Sequence, residues 1–285
     1  MKINAYAKIN LGLDVIGKRD DGYHEVRMIM QTIELHDELV VARTDEAGID
    51  ISTGRDDLSA GKDNLIHKAA RLMMDEYGLT GGIKVVLTKN IPMAAGLAGG
   101  STDAAATMIA VNELYSLGLS REELMKLSVR IGADVPYCIM GGTALSEGIG
   151  EILTPLTPCP EWKVLIAKPP AAVSTAYVYK HYDAKKAQHP DIDRLIRAIG
   201  DANLHAVAES MGNVLESVTI NEVPSVGQIK DIMSENGGYS LMSGSGPTVF
   251  GLFEKDEDIN RAYECLDRKE YVSDLFITRI INGRA

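Results

Sequence analysis

The chain has 285 residues, of which 45% are hydrophobic and 24% charged, and its 40 acidic and 29 basic side chains give a net charge of −11. This length exceeds that of one usual compact core, so we expect two domains with a cleft between them. The composition is that of a globular protein and excludes a disordered or fibrous one. Because the negative charge repels a phosphate backbone, nucleic acid is not an expected partner.

No stretch approaches the roughly 18 consecutive apolar residues of a membrane span, so no membrane partner is expected. The N-terminal residues, which include Lys2 and Lys8, lack the apolar segment of a signal peptide, and we therefore expect a cytoplasmic protein. The three cysteines, Cys138, Cys159 and Cys265, are odd in number and far apart, which fits neither a disulfide framework nor a zinc site. We expect all three to be buried as small apolar side chains.

The first half of the chain mixes strand-like and helical segments. Runs of alternating or continuous apolar residues predict strands over residues 3–13, 26–35, 39–43 and 83–88. Capping residues and glycines predict three helices: from an N-cap at Asp63 to Gly78, from Ser101, Thr102 and Asp103 to Gly118, and from a Ser120–Glu123 capping box to Gly132. A loop over residues 91–100 precedes the second helix.

Pro155, Pro158 and Pro160 lie close together and predict a domain boundary, which divides the chain into residues 1–157 and 158–285. The second part is predicted to contain a strand at 163–167, helices over about 190–236, a hairpin of 239–242 with 248–253, a helix at 256–268 and a strand at 274–281. This order is that of a split βαβ, ferredoxin-like sheet. The expected fold class is therefore α+β, with a mixed N-terminal domain and a ferredoxin-like C-terminal sandwich.

The segment from Pro92 to Ala105 carries the clearest chemical signal. Its glycines Gly96, Gly99 and Gly100 lack a Cβ, so the main chain can adopt positive φ and approach a bulky anion. The helix that follows directs free N–H groups and its positive dipole end at the same place, with hydroxyl groups nearby. A glycine-rich turn before a capped helix is the alternative. The spacing matches neither a Walker P-loop nor a dinucleotide-binding fingerprint.

This segment resembles the phosphate-binding motif of the GHMP kinases, a family named for galactokinase, homoserine kinase, mevalonate kinase and phosphomevalonate kinase. Residues 5–13 resemble the first motif of that family, and residues 243–250 resemble its third motif, a glycine-rich loop. The resemblance covers essentially the whole chain and implies ATP as phosphoryl donor, with Mg²⁺. Ala98 stands where many relatives carry glycine, and Thr102 where they often carry serine. The implied ATP-binding residues are Pro92, Met93, Ala94, Ala95, Gly96, Leu97, Ala98, Gly99, Gly100, Ser101 and Thr102.

A narrower resemblance is carried by residues 21–25, by residues 132–137 and by the motif that begins at Ala5. It is to the branch of the family that phosphorylates the 2-hydroxyl of a cytidine-diphosphate ester of methylerythritol, in the non-mevalonate route to isoprenoid precursors. The implied partner is thus a small cytidyl diphosphate substrate. The sequence leaves the oligomeric state open, with a homodimer among the options, and assigns no metal ligand.

Phosphoryl transfer depends mainly on alignment and on neutralising charge. The resemblance implies that Asp134 is the base that accepts the proton of the substrate hydroxyl, with Lys8 stabilising the developing charge. Spacing alone favours a simpler interpretation, with Asp134 a cap or turn residue after Gly132 and Lys8 a solvated lysine of a strand.

The substrate site implied by the resemblance combines aromatic and polar residues, which suit the flat face and polar edge of cytosine. His24 is expected to hydrogen-bond the base and Tyr23 to pack on it, with Tyr179 favoured over Tyr177 as the second aromatic. Asn10 lies two residues after Lys8 on the same strand face and is suited to bind hydroxyls. From the residues alone, Tyr23 and His24 are also typical of a turn. The implied substrate-binding residues are Asn10, Tyr23, His24, Thr175, Tyr179, Gly244, Ser245 and Gly246.

Three other functions stay open at this point. A GHMP kinase for homoserine or mevalonate would keep the phosphate loop, but we expect it to lack the motif at residues 21–24. A catalytically silent nucleotide sensor would be expected to lose Lys8 or Asp134, and both are present. A dinucleotide-dependent oxidoreductase is a third reading of the glycines. Since fold does not determine chemistry, the site has to decide.

Overall fold

The structure is a computed structural model that describes residues 1–283. Its strands are β1 (Lys2–Lys18), β2 (His24–Thr44), β3 (Gly48–Ser52), β4 (Gly82–Thr88), β5 (Thr143–Glu147), β6 (Ile152–Pro155), β7 (Lys163–Lys168), β8 (Gly212–Asn213), β9 (Tyr239–Met242), β10 (Val249–Phe253) and β11 (Asp274–Arg279). Its helices are α1 (Leu65–Tyr77), α2 (Gly99–Leu114), α3 (Arg121–Ser128), α4 (Val135–Met140), α5 (Thr175–His181), α6 (Ile192–Gly200), α7 (Leu204–Ser210), α8 (Glu216–Glu222), α9 (Ser225–Glu235) and α10 (Asp256–Asp267).

The chain forms two compact units, and each is discontinuous in sequence. The first unit comprises Met1–Ala7, Leu35–Met93 and Ala98–Met140, and the second comprises the three segments Lys8–Glu34, Ala94–Leu97 and Gly141–Ala285. The long strands β1 and β2 contribute residues to both units, so compactness does not follow a single cut in the chain. The division therefore differs from the predicted one between residues 157 and 158, which stays a prediction.

The first unit contains strands in the order β3-β4-β2-β1, with β2 antiparallel and β3 parallel to β4. Helix α1 packs on α2, which in turn packs on α4. Small buried side chains such as Ala69 of α1 and Ala105 of α2 suit close packing of these helices. Helix α1 begins where the side chain of Asn64 accepts a hydrogen bond from the N–H of Ile66, and it ends at the left-handed Gly78.

The second unit contains a four-stranded antiparallel sheet in the order β11-β7-β10-β9. In chain order these are the fourth, first, third and second strands, which is the ferredoxin-like arrangement. The central strands β7 and β10 are apolar and buried along most of their length, and they pack against α10 and α9 respectively. The α+β fold class is confirmed, and so is the predicted hairpin of β9 and β10.

The prediction of two separate strands at residues 26–35 and 39–43 is wrong, because β2 runs without interruption from His24 to Thr44. Asp37 lies in the gap between the two predicted strands. The Asp37 side chain is instead fully buried and accepts hydrogen bonds from the main-chain N–H groups of Asn90 and Ile91. A polar residue with such partners does not interrupt a strand.

Several helix boundaries also differ from the prediction. The N-cap of α1 is Asn64, while Asp63 accepts a hydrogen bond from Ser59. The second helix begins earlier than predicted, at Gly99, and it ends at Leu114 rather than Gly118. The third ends at Ser128, before the predicted Gly132. The capping box of Ser120 and Glu123 is present as predicted.

Cys138 and Cys159 are buried, but Cys265 is exposed, so the prediction that all three cysteines are buried is wrong for this one. Cys265 lies on α10, whose buried face carries Ile259, Ala262 and Leu266. Within residues 1–283, none of the helices combines the length and apolar character needed to cross a membrane.

Candidate active site

The N-terminus of α2 provides main-chain donors for an anion. Its N-cap is Ala98, which makes no side-chain capping hydrogen bond. The first N–H groups of a helix have no partner within the helix, and they lie at the positive end of the helix dipole. Because an alanine methyl cannot satisfy them, Gly99 and the residues after it can donate to a bound phosphate.

The loop before α2 has left-handed main-chain conformation at every second residue, with φ of 48° at Ala94, 72° at Gly96 and 58° at Ala98. Between these positions, the side chains of Ala95 and Leu97 are buried and anchor the loop. An alanine in the left-handed region costs on the order of 1 kcal/mol. Glycine would adopt the conformation of Ala98 without this strain.

Lys8 is buried, with 4% of its surface exposed. Its Nζ donates to Oδ1 of Asn10 at 2.7 Å and to the carbonyl oxygen of Gly96 at 3.0 Å. An ammonium group has three donors, so one more is available. No carboxylate of the described residues forms an ion pair with Lys8. A buried cation without a counter-ion is costly unless a ligand supplies the negative charge.

Lys89 provides a contrast, because it is a buried lysine that is fully compensated. Its Nζ forms ion pairs with Asp37 and with Oδ2 of Asp103, the latter at 2.8 Å. The same Nζ lies 2.9 Å from the point where a Cβ on Gly99 would be.

Burial raises the pKa of Asp103 to about 8, with Lys89 opposing this shift and Asp37 adding to it. Asp103 Oδ1 is buried and has no hydrogen-bond partner among residues 1–283.

The glycine-rich loop at residues 243–247 lies against Gly96. The hydroxyl of Ser243 donates to the carbonyl oxygen of Gly96 at 3.0 Å and accepts from the N–H of Asn10 at 3.3 Å. Gly244 is left-handed, and a Cβ there would lie 3.2 Å from the Gly96 oxygen. Gly246 is also left-handed, and a Cβ there would lie 2.4 Å from Sδ of Met242. Two glycine motifs distant in sequence are thus adjacent in space.

The structure differs from the expectation for Thr102, which is fully buried and donates its hydroxyl to the carbonyl oxygen of Tyr6 at 2.7 Å. That proton is therefore not available to a phosphate, and the side chain instead ties α2 to β1. Ser101, one residue earlier, is half-buried. Pro92 is buried, and Met93 is half-buried.

Asp134 directly precedes α4, and its carbonyl oxygen accepts the hydrogen bond of the Cys138 N–H. Its side chain is half-buried, and within residues 1–283 its carboxylate forms no hydrogen bond or ion pair. The carboxylate is therefore free to accept a proton from a ligand. The main-chain turn predicted for this residue is also present, so the two interpretations are compatible.

The aromatic residues predicted to bind the substrate are partly assembled. The rings of His24 and Tyr179 are 5.1 Å apart between centroids and inclined by 31°. Tyr177 instead donates its hydroxyl to Glu222 at 2.8 Å. A base stacked between two rings needs about 7 Å, which is twice a carbon contact distance. His24 and Tyr179 therefore cannot hold a base between them as they stand, and an arrangement with His24 at the edge fits better.

Tyr23 is 61% exposed and lies at the end of a turn in which its N–H donates to Asp21. Burial lowers the pKa of His24, and the charge of Lys18 adds to this effect, so both favour the neutral imidazole. A neutral imidazole has one donor and one acceptor nitrogen.

Thr175 at the start of α5 shares a 2.8 Å hydrogen bond with the hydroxyl of Ser245.

Comparison with known proteins places these features in a family. The family model described as GHMP kinases N terminal domain matches residues 64–142, and the model described as GHMP kinases C terminal matches residues 185–273. The chain belongs to the GHMP kinase family. The relationship suggested by the three motifs is thereby confirmed.

Two relatives of this GHMP kinase are named 4-diphosphocytidyl-2-C-methyl-D-erythritol kinase. The protein from Lachnoclostridium phytofermentans is 47% identical over 100% of this chain and 98% of its own length. The protein from Lachnospira eligens is 50% identical over 98% of this chain and 97% of its own length.

Two solved structures resemble the structure of this chain. A crystal structure of 4-(cytidine 5'-diphospho)-2C-methyl-D-erythritol kinase superimposes with a TM-score of 0.85 at 31% identity, covering 99% of this chain and 100% of the other. A homoserine kinase from Cytophaga hutchinsonii superimposes with a TM-score of 0.80 at 18% identity, covering 100% of this chain and 95% of the other, and at that identity it shows the fold alone.

The sequence analysis did not predict the buried ion pairs that Lys89 forms with Asp37 and Asp103 near the start of α2. Asp103 was interpreted as a helix-start residue and Asp37 as part of a strand break. Lys89 stands three residues before Pro92, which is a local signal, but no spacing in the sequence connects it to Asp37, 52 residues away. The pairing follows from the neighbouring positions of β2 and β4 in the sheet.

The raised pKa of Asp103 makes a prediction about stability and pH. A group whose pKa is raised by folding stabilises the fold fully below its unfolded pKa, and this contribution is lost as pH rises through the folded pKa. For Asp103 the window runs from the ordinary 3.8 to about 8. Asp103→Asn cannot ionise, so its unfolding free energy should fall less than that of wild type between pH 6 and pH 9, measured by urea denaturation. The exposed Asp45→Asn is the control, and equal falls in wild type and Asp103→Asn would contradict the assignment.

Gly96 makes a second prediction, because a Cβ at this position would lie 2.1 Å from the carbonyl oxygen of Ser243 and φ is 72°. Gly96→Ala should lower the unfolding free energy by about 2 kcal/mol or more and weaken ATP binding measured by calorimetry. Gly17→Ala is the matched control, since a Cβ there meets nothing within 4 Å. A folded Gly96→Ala variant with wild-type ATP affinity would contradict the proposed loop geometry.

Proposed function

We propose that this GHMP kinase transfers the γ-phosphoryl group of ATP to the 2-hydroxyl of 4-diphosphocytidyl-2-C-methyl-D-erythritol, giving the 2-phosphate and ADP. The reaction belongs to the methylerythritol phosphate route to isoprenoid precursors. The two relatives and the solved structure that share this name match the chain over almost its whole length, and they support the choice of substrate.

The observation that carries the proposal is the buried ammonium of Lys8, whose two described partners, Asn10 and the carbonyl of Gly96, are both neutral. A transferring phosphoryl group supplies the missing negative charge, and this charge grows on the oxygens around the reacting phosphorus during transfer. Lys89 offers no such site, since its charge is compensated by the buried carboxylate of Asp37.

The chemical roles follow from these environments. The N–H groups at the start of α2 and the loop from Pro92 to Ala98 bind the triphosphate. Asp134 accepts the proton of the 2-hydroxyl while the bond from that oxygen to the γ-phosphorus forms and the bond from the γ-phosphorus to the β–γ bridging oxygen breaks. Lys8 stabilises the negative charge on the transferring group. Asn10 orients Lys8 through its Oδ1 and lies on the strand face where the acceptor hydroxyls would bind.

The cytidyl end of the substrate is assigned to the side chains around His24. His24 hydrogen-bonds the polar edge of the base, while Tyr179 and the exposed Tyr23 contribute their ring faces. The contact of Tyr179 with His24, and the engagement of Tyr177 with Glu222, support Tyr179 as the stacking residue. The loop from Gly244 to Gly246, together with Thr175, is assigned to the diphosphate.

We also propose Mg²⁺ as the companion of ATP. Residues 1–283 contain no group of three or more His, Cys, Asp or Glu side chains placed to ligate one cation. The residues therefore do not fit a metal held by the protein alone. Phosphate oxygens would carry most of its coordination, and no step is assigned to the ion.

A cytoplasmic location is part of the proposal, and the only partners it includes are the two small-molecule substrates.

Two substitutions test the catalytic roles. Lys8→Ala and Asp134→Asn should each lower kcat by about 10²-fold or more, as is usual when acid–base or charge-stabilising groups are removed. The measurement is ADP release in a coupled assay with the cytidyl-methylerythritol substrate, with circular dichroism to establish that the fold survives.

Lys2→Ala is the matched control on the same strand, because Lys2 is an exposed lysine paired with Glu38. It should keep wild-type turnover. Near-normal kcat in a folded Lys8→Ala or Asp134→Asn variant would remove that residue from the mechanism.

A further inference from the structure

Three side chains of the segment from Asn213 to Thr219 hold the main chain of the last residue of β9 and of the glycine-rich loop that follows it. Nδ2 of Asn213 donates to the carbonyl oxygens of Met242 and Gly244, both at 2.8 Å. Glu216 accepts from the N–H of Met242 at 2.8 Å. Thr219 donates its hydroxyl to the carbonyl oxygen of Ser245 at 3.1 Å.

These side chains are themselves fixed. Asn213 is 6% exposed, and its Oδ1 accepts from the N–H of Leu215 at 3.0 Å, so the orientation of its amide is determined by all its partners. Both carboxylate oxygens of Glu216 accept from Nζ of Lys230 at 2.7 Å. Thr219 is fully buried. The segment is thus a rigid support, while the loop has left-handed glycines that would otherwise leave it free.

The support also determines where the loop directs its donors. A peptide unit is planar and trans, so its N–H points away from its C=O. Because the Gly244 carbonyl points to Asn213, the N–H of Ser245 points to the opposite side. Within residues 1–283 this N–H makes no hydrogen bond. The hydroxyl of Ser243, on the same loop, contacts Gly96 of the phosphate loop.

We propose that Asn213 and Glu216 are positioning residues for phosphoryl transfer: they orient the loop of residues 243–247 so that the N–H of Ser245 binds the substrate diphosphate and Ser243 holds Gly96 in place. Neither residue touches the substrate. The inference rests on the proposed function for the identity of the ligand, but the orientation of the loop does not depend on it.

The test compares Asn213→Ala, Glu216→Ala and Glu216→Gln with wild type. Asn213→Ala and Glu216→Ala should lower kcat/KM for the cytidyl substrate by about 10²-fold, which is typical of misplaced reacting groups. Glu216→Gln keeps an oxygen for the N–H of Met242 and should recover most of this loss. Thr219→Val, which removes only the bond to Ser245, replaces Asn213→Ala if that variant does not fold.

Asn112→Ala is the matched control. Asn112 also ties down a loop, with its amide bonded to the N–H and the carbonyl of Leu119, but it belongs to the C-terminal end of α2. It should lose stability in urea denaturation while keeping wild-type kcat/KM. A loss of kcat/KM in Asn112→Ala equal to that in Asn213→Ala would show a general effect of destabilisation and would overturn the proposal.

Amide hydrogen exchange of the peptide over residues 243–248, measured by mass spectrometry, provides a readout that is independent of activity. Exchange there should be faster in Asn213→Ala than in wild type and unchanged in Asn112→Ala. Wild-type enzyme that fails to phosphorylate the cytidyl substrate would refute the proposed function, and faster loop exchange would then still support the positioning role. Unchanged exchange, or unchanged kcat/KM with an active wild type, would refute that role.

Discussion

The hydrogen bond from the buried ammonium of Lys8 to the carbonyl oxygen of Gly96 is the interaction on which the site depends. It connects β1 to the loop of residues 92–98 and places a positive charge without a counter-ion beside that loop. The same carbonyl oxygen accepts the hydroxyl of Ser243. One main-chain atom thus joins the three motifs of the family, and its position requires glycine, since a Cβ on Gly96 would collide with the main chain of Ser243.

The candidate site uses main-chain groups as much as side chains. The loop before α2 is held by the buried side chains of Ala95 and Leu97. The loop of residues 243–247 and the preceding Met242 are held by hydrogen bonds with the side chains of Asn213, Glu216 and Thr219. In the second loop, the N–H of Ser245 thereby stays directed away from Asn213. Donors that are already oriented lose little entropy when a phosphate binds, and this favours transfer without covalent chemistry.

Much of the fold could be predicted from the sequence, because the decisive signals are local. The order of strands and helices after residue 163 is sufficient to predict the ferredoxin-like sheet, and the capping box at Ser120 fixed a helix start. The errors have local causes as well. Asp37 lies between the two predicted strands, yet it is buried and forms an ion pair with Lys89. The two residues meet because β2 and β4 are neighbours in the sheet. The start of α2 at Gly99 was missed because its N-cap is an alanine in a left-handed conformation.

The sequence was sufficient to propose the residues of the candidate site, but not their contacts. The motifs include Lys8, Asn10 and Gly96. The roles proposed for Asn213 and Glu216 depend on a segment that carries no motif. This segment is distant in sequence from the loop that it contacts, since Asn213 and Gly244 are 31 residues apart. Thr102 fits the family pattern as a hydroxyl donor, yet its proton is used by the carbonyl of Tyr6. Hydrogen bonds of this kind depend on tertiary packing, which cannot be predicted from the periodicity of apolar residues in the sequence.

The most direct test of the central claim is a comparison of acceptors. Purified enzyme is offered 4-diphosphocytidyl-2-C-methyl-D-erythritol, mevalonate, homoserine and galactose in parallel, with ATP and Mg²⁺, and ADP release is measured for each. The account predicts turnover with the cytidyl substrate alone and a product phosphorylated at the 2-hydroxyl. Preferred turnover of any of the other three acceptors, or no turnover of the cytidyl substrate by folded enzyme, would contradict it.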